Sequence, residues 1–298
     1  MYLFPQYPSV MKNLSALVLL VLNVLLILFP ASVFGGTPVV EVIADGLKQA
    51  EGPAVNAAGD LTVCDVSAGI VWRVNPQAKT KEIFYQFAGK PNGATFGSEG
   101  QLLLTDSEGR HILSVDPQGK ATVISPEEPR LNSPNDLTVG PDGSIYFTDP
   151  AWAPGSEKTG QHVWRLHPGG NLQPLQSFQQ PNGIKAHGDL LYVAEGATGV
   201  VYVKNLTTDG AFEVFAKITV MDAGWSALDG LDVDADGNVY VAVFGKGYLA
   251  VFDPKGAELP RITLPAPNVT NLEFSPDGKT LYVTEGSKNQ VYRITSFR

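Results

Sequence analysis

The feature that most limits what this chain can fold into is a phrase it repeats six times. EGPAVNAAGDLTVCDV (51–66), PNGATFGSEGQLLLTD (91–106), PNDLTVGPDGSIYFTD (134–149), PNGIKAHGDLLYVAE (181–195), DGLDVDADGNVYVAV (229–243) and TNLEFSPDGKTLYVTE (270–285) share one grammar. Each has a polar residue, an alternating run, a glycine turn and a second apolar run. The turn glycines Gly59, Gly100, Gly143, Gly188, Gly237 and Gly278 are spaced 41, 43, 45, 49 and 41 residues apart. A unit of this length cannot bury its apolar faces alone and must stack on its neighbours. Turn–strand–turn–strand grammar at this period predicts the blades of a β-propeller.

The third unit shows how one blade is built. Residues 136–139 alternate as strand A, Gly140-Pro141-Asp142-Gly143 makes a hairpin turn, and 144–148 alternate again as strand B. Residues 163–166 give strand C, His167-Pro168-Gly169-Gly170 a turn, and 172–175 strand D. Matching C strands stand at 70–74, 111–115, 200–203, 248–252 and 291–294, and no long 3.6-residue period occurs after residue 37. The predicted fold is all-β: one six-bladed β-propeller of four-stranded blades over residues 37–298. The sixth unit runs out of chain after its third strand, while 39–43 has no partner of its own. That segment is therefore expected to supply the missing strand D, closing the ring and removing its raw edges.

Residues 1–36 read differently. Met11-Lys12-Asn13 is a short positive start, 14–29 is a nearly continuous apolar run, and Pro30-Ala31-Ser32-Val33-Phe34-Gly35-Gly36 is rich in small residues. This is the pattern of a signal peptide, or of a membrane anchor if it is not cleaved. Either places the domain outside the cytoplasm, secreted or periplasmic, with membrane contact only through an uncleaved N-terminal segment. A net charge of −9 without basic clusters argues against nucleic acid as partner. The single cysteine, Cys64, allows no intramolecular disulfide and lies in the apolar run Leu61-Thr62-Val63-Cys64, where a packing role is expected.

Strand A of a propeller blade lines the central channel. Glu51, Asn92, Asn135, Asn182, Asp229 and Asn271 hold the corresponding place, at offsets of 8, 8, 8, 6, 8 and 7 residues before the turn glycine. Taken singly, each is better explained as a turn or strand-cap residue than as a ligand. Together they predict a ring of oxygen donors with two carboxylates at one channel mouth, suited to a hard divalent cation such as Ca²⁺. The absence of His and Cys from these positions disfavours zinc or copper. Asp106-Ser107-Glu108-Gly109 and Asp149 are either solvated loops or a second cation site. The histidines His111, His162, His167 and His187 fall at strand starts and turns, and no Ser-His-Asp set shares a face.

Glu51-Gly52-Pro53, Asn132-Ser133-Pro134-Asn135-Asp136, Phe147-Thr148-Asp149-Pro150, Pro181-Asn182-Gly183 and Leu228-Asp229-Gly230-Leu231 give the whole of 37–298 a resemblance to a known family. The chain resembles the senescence marker protein/gluconolactonase (regucalcin-like) family of six-bladed propeller hydrolases, and looks closest to its bacterial gluconolactonase branch. The resemblance implies a catalytic Ca²⁺, or another divalent cation, at Glu51, Asn135, Asn182 and Asp229, with Asp229 also doing the acid–base work. It implies a small-molecule substrate, a lactone, with Asn92 on the substrate side. Asp229 would either activate water or attack directly. The loop 151–160 departs from the family's Pro-Pro-Tyr-Gly-like stretch and leaves the substrate open; Trp152 there either walls the substrate pocket or packs on the rim. A metal-dependent esterase or organophosphate hydrolase, and a non-catalytic ligand- or protein-binding propeller, are the alternatives.

Overall fold

Among the described residues twenty-four strands form six sheets of four, every pairing antiparallel, and the sheets follow one another along the chain. The computed structural model describes residues 37–152, 160–218 and 227–297. The segment read as a signal or anchor lies outside the described residues. Strand A of successive blades is Ala50–Val55, Pro91–Phe96, Leu137–Val139, Pro181–His187, Ala227–Val233 and Val269–Phe274. The six turn glycines all take the left-handed conformation, with φ between 55° and 90°, which accounts for their recurrence.

The ring closes as the repeat count requires. Val39–Ala44 pairs with the last strand, Gln290–Thr295, and completes the sixth blade in the order strand D, C, B, A. Its register runs from Val39 opposite Thr295 to Ala44 opposite Val291, with an irregularity after Val42. Glu41 lies directly across from Arg293, and the two form an ion pair. Lys79 of the first blade reaches the same carboxylate at 2.6 Å.

The core lies in the seams between blades. Six apolar clusters are each shared by two neighbouring blades. The closing seam joins Ile43, Tyr282 and Val291 of the last blade to Leu61, Val63 and Val74 of the first. Cys64 is fully buried between the first and second blades, in the packing role expected. Burying one such aliphatic side chain stabilises by about 1.5–3 kcal/mol. With every seam filled alike, stability depends on all six blades being present.

Candidate functional site

Strand A does not alternate simply where it enters the channel. In five blades its pairing with strand B shifts register at the predicted site residue: between Glu51 and Ala54, Pro91 and Ala94, Pro181 and Ile184, Leu228 and Leu231, and Val269 and Leu272. A β-bulge re-aims side chains, so two successive residues can face the axis.

Glu51, Asn92, Asn135, Asn182 and Asp229 line a single cavity of about 510 Å³, together with Trp152, Lys48, Gln49, Ala227, Phe244, Thr270 and Gly286. The ring residues Glu51, Asn135, Asn182 and Asp229 are only 6–8% exposed, while Asn92 is half-buried. Volume alone does not single out this site. A hollow of about 580 Å³ lies at the opposite end of the first blade, but its Arg73 is paired with Glu82 at 3.2 Å.

The sixth ring position is Thr270 rather than Asn271. Val269 pairs with Glu285 as Pro91 pairs with Asp106, which makes Thr270 the counterpart of Asn92. Its offset to Gly278 is 8, the majority value, and that was the signal in the sequence. Thr270 Oγ1 donates to the Ala50 carbonyl at 2.9 Å, tying the last blade to the first.

Asn271 belongs to a second layer made of the residues that follow the ring: Gly52, Gly93, Asp136, Gly183, Gly230 and Asn271. Gly93 and Gly230 make room for Asp136 and Asn271, while Gly52 and Gly183 make room for the backbone of the next blade. A Cβ on Gly230 would lie 2.1 Å from Asn271 Oδ1, and one on Gly93 would lie 2.6 Å from Asp136 Cα. Neither glycine has a positive φ, so space rather than conformation demands them. Asp136 accepts hydrogen bonds from Leu137 N at 2.9 Å, Asn271 Nδ2 at 3.3 Å and Ile184 N at 3.4 Å, joining blades three, four and six across the axis.

A third layer lies two residues further on. Lys185 Nζ is 3.0 Å from Asp232 Oδ1 and 2.7 Å from Glu273 Oε2. These come from the A strands of blades four, five and six, each three residues after its ring residue.

The electrostatics separate the layers. Burial, and then the facing charge of Asp229, push the Glu51 carboxyl well above the usual carboxylate range. Burial and Asp136 do the same to Asp229, against hydrogen bonds from the Asn182 side chain and Gly230 N. Burial lifts Asp136 to about 6. In the third layer burial lowers the Lys185 ammonium, but Asp232 and Glu273 outweigh it and the net shift is upward. Among the described residues no cation offsets the burial of Glu51 or Asp229 in this way.

The acids at the ends of strands B take a different role from the second cation site considered above. Asp149 accepts Asn132 N at 2.9 Å, Ser133 N at 2.7 Å and Trp164 Nε1 at 3.3 Å. Asp65 does the same for Lys48 N, Gln49 N and Trp72 Nε1, and Asp106, Glu195 and Glu285 each accept the N–H of a residue leading into strand A. Their oxygens hold the incoming loops, and with them the ring residues, at the mouth. His111 and His162 begin strands C, as expected. Among the described residues no three His, Cys, Asp or Glu side chains gather into a metal-ligating group. What converges at the cavity is two carboxylates with amides.

The fold and the cavity together define the class: a six-bladed propeller with a mixed carboxylate and amide ring at one channel mouth. Residues 49–287 match the SMP-30/Gluconolactonase/LRE-like region, and the chain belongs to that family. It is 30% identical to a gluconolactonase of Zymomonas mobilis, over 87% of this chain and 81% of the relative. It is 27% identical to a diisopropyl-fluorophosphatase of Loligo vulgaris, over 86% and 92%. A solved gluconolactonase structure from Xanthomonas campestris superposes with a TM-score of 0.74 at 27% identity, covering 86% of this chain and 89% of that one.

Proposed function

We propose that the protein is a hydrolase of the lactonase/esterase type that opens a lactone with the help of a divalent cation, Ca²⁺ foremost. Family membership and the gluconolactonases among its relatives support the reaction class. The observation that carries the metal is the pair Glu51 and Asp229: two buried carboxylates in one cavity, raised by burial and repulsion, with amides as their neighbours. Two carboxylate and two amide oxygens suit a hard, flexibly coordinated cation, so Glu51, Asn135, Asn182 and Asp229 would hold it. When bound, the cation polarises the substrate carbonyl and favours the charge that develops on its oxygen.

The chain's own residues do the rest. Asp229 accepts a proton from water through its carboxylate as the water oxygen bonds to the acyl carbon. The acyl carbon–ring oxygen bond breaks, the departing alkoxide takes the proton back, and a hydroxy acid leaves. Asn182 holds the Asp229 carboxylate by its side chain. Asn92, half-buried at the cavity edge, hydrogen-bonds the substrate. The apolar run at 14–29 supports action outside the cytoplasm, which fractionation of the expressed protein and sequencing of its mature N-terminus would check.

The deciding experiment is turnover of a lactone and ester panel after chelation and after Ca²⁺ is restored. Activity lost with chelator and regained with Ca²⁺ supports the reading. Binding of panel compounds with no turnover under any metal would replace it with the non-catalytic propeller.

A further inference from the structure

We infer that the mouth of the site selects lactones or esters bearing an apolar ring or acyl chain over polyhydroxylated sugar lactones, with Trp152 and Phe244 as the selecting walls. This rests on the hydrolase reading above and narrows its substrate class.

The cavity divides by height. Its floor is the polar ring, and its rim carries Trp152, Phe244, Ala227 and Gly286, with Lys48 and Gln49 as polar members. Among the described residues Trp152 is the one large exposed hydrophobic side chain that borders this cavity, at 37% exposure. It follows strand B of the third blade, and Ala151 N just before it is held by Gln161 Oε1 at 3.0 Å.

Phe244 has a separate origin. Five blades end strand B in an acid that staples the loop leading into strand A: Asp65, Asp106, Asp149, Glu195 and Glu285. In the fifth blade the position opposite Leu228 is Val243, and Phe244 follows it. The acidic rim is thus interrupted by an apolar pair in the blade that supplies Asp229. Trp152 and Phe244 stand on either side of the fourth blade, where a substituent leaving the reacting carbonyl would pass between them.

A polyhydroxylated ring fits this mouth poorly. Among the described residues the rim offers its hydroxyls only Lys48 and Gln49, and each hydroxyl set against an aromatic face loses water without replacement. The Thr270 hydroxyl is already committed to the Ala50 carbonyl. An aryl or alkyl group instead buries area on both aromatic walls. An apolar pocket discriminates against an added hydroxyl by up to about 100-fold, which sets the scale of the preference.

The test compares dihydrocoumarin and γ-nonalactone with D-glucono-δ-lactone and D-galactono-γ-lactone on the Ca²⁺-loaded protein. The apolar pair should show kcat/KM at least about tenfold higher. Trp152→Ala and Phe244→Ala should each lower the apolar-to-sugar ratio of kcat/KM several-fold, mainly through KM, and Trp152→Phe should restore most of it. Calorimetric binding to the Asp229→Asn variant supplies a readout independent of turnover: dihydrocoumarin should bind more tightly than D-glucono-δ-lactone, and the wall substitutions should weaken it. Binding of dihydrocoumarin with no turnover would sink the hydrolase reading and leave this inference standing. Preference for the sugar lactones, or wall substitutions that affect both series alike, would overturn it.

Discussion

Replacing Lys185 by Met would show how far the third channel layer is held by charge. Asp232 is 2% exposed and accepts Val233 N at 2.7 Å and Phe274 N at 2.8 Å, so it cannot swing away once the ammonium is gone. Met fills the space but leaves two carboxylates facing each other. Removing one partner from a buried ion pair costs about 3–5 kcal/mol. Glu273 keeps 21% side-chain exposure, and burial, opposed by Lys185, already places its carboxyl at about 8. At neutral pH it therefore keeps its proton once Lys185 is lost, which sets the expectation near the lower bound, about 3 kcal/mol. At about 2–4 °C per kcal/mol for a chain of this size, Tm should fall by about 6–12 °C. Scanning calorimetry in excess chelator at neutral pH, on wild type, Lys185→Met, Glu273→Gln and the double variant, measures both the loss and the coupling. The double variant should recover at least half of the loss. A Lys185→Met protein within about 1 kcal/mol of wild type, or a coupling energy near zero, would refute the reasoning.

Four other outcomes are expected. Asp229→Asn should lower kcat by on the order of 100-fold or more at saturating Ca²⁺, whereas Glu51→Gln should regain much of its activity with excess Ca²⁺; steady-state kinetics across a Ca²⁺ series separates them. Gly230→Ala forces Asn271 and the second layer to shift and should abolish a Ca²⁺-induced rise in Tm, while Gly59→Ala, open on all sides, should cost only about 1 kcal/mol and leave that rise intact. Asp136 and Asp149 at about 6 and Glu273 at about 8 all lie above their ordinary values, so each contributes stability that is complete below its unfolded pKa and lost as pH rises through the folded one. The metal-free Tm should therefore decline between about pH 5 and 8, and a rising Tm over that window would contradict the assignment. Deleting 1–44 removes the strand paired with Gln290–Thr295 and should cause aggregation, whereas deleting 1–36 should not; light scattering and melting of the two proteins decide.

The blade count was legible because each turn glycine answers a backbone requirement, and the closing strand because the sixth unit was one strand short. Five members of the donor ring could be placed by offset. The sixth was misplaced because Asn271 has the chemistry of its counterparts while Thr270 has their position. The second and third layers were hidden by the bulges. Simple alternation sends every other residue to the axis, but a bulge turns both Thr270 and Asn271 toward it and resets the count, and the same device brings Lys185 to Asp232 and Glu273. The rim acids Asp106 and Asp149 looked like spare carboxylates because a sequence shows an acid without the N–H groups that surround it.

Glu41 and Arg293 are 252 residues apart in the chain, yet they face each other across the closing pair of strands. A chain emerging from its N-terminus presents the strand Val39–Ala44 first and the one that must receive it last. The middle hairpins are local and can form as they appear, but the seam where Thr270 meets the Ala50 carbonyl exists only once the full chain is available. Glu51, just inside that seam, is therefore brought into the ring at the end of folding. Catalytic competence should arrive in one step, late and concentration-independent, and truncation from either end should yield open rings without activity rather than smaller enzymes.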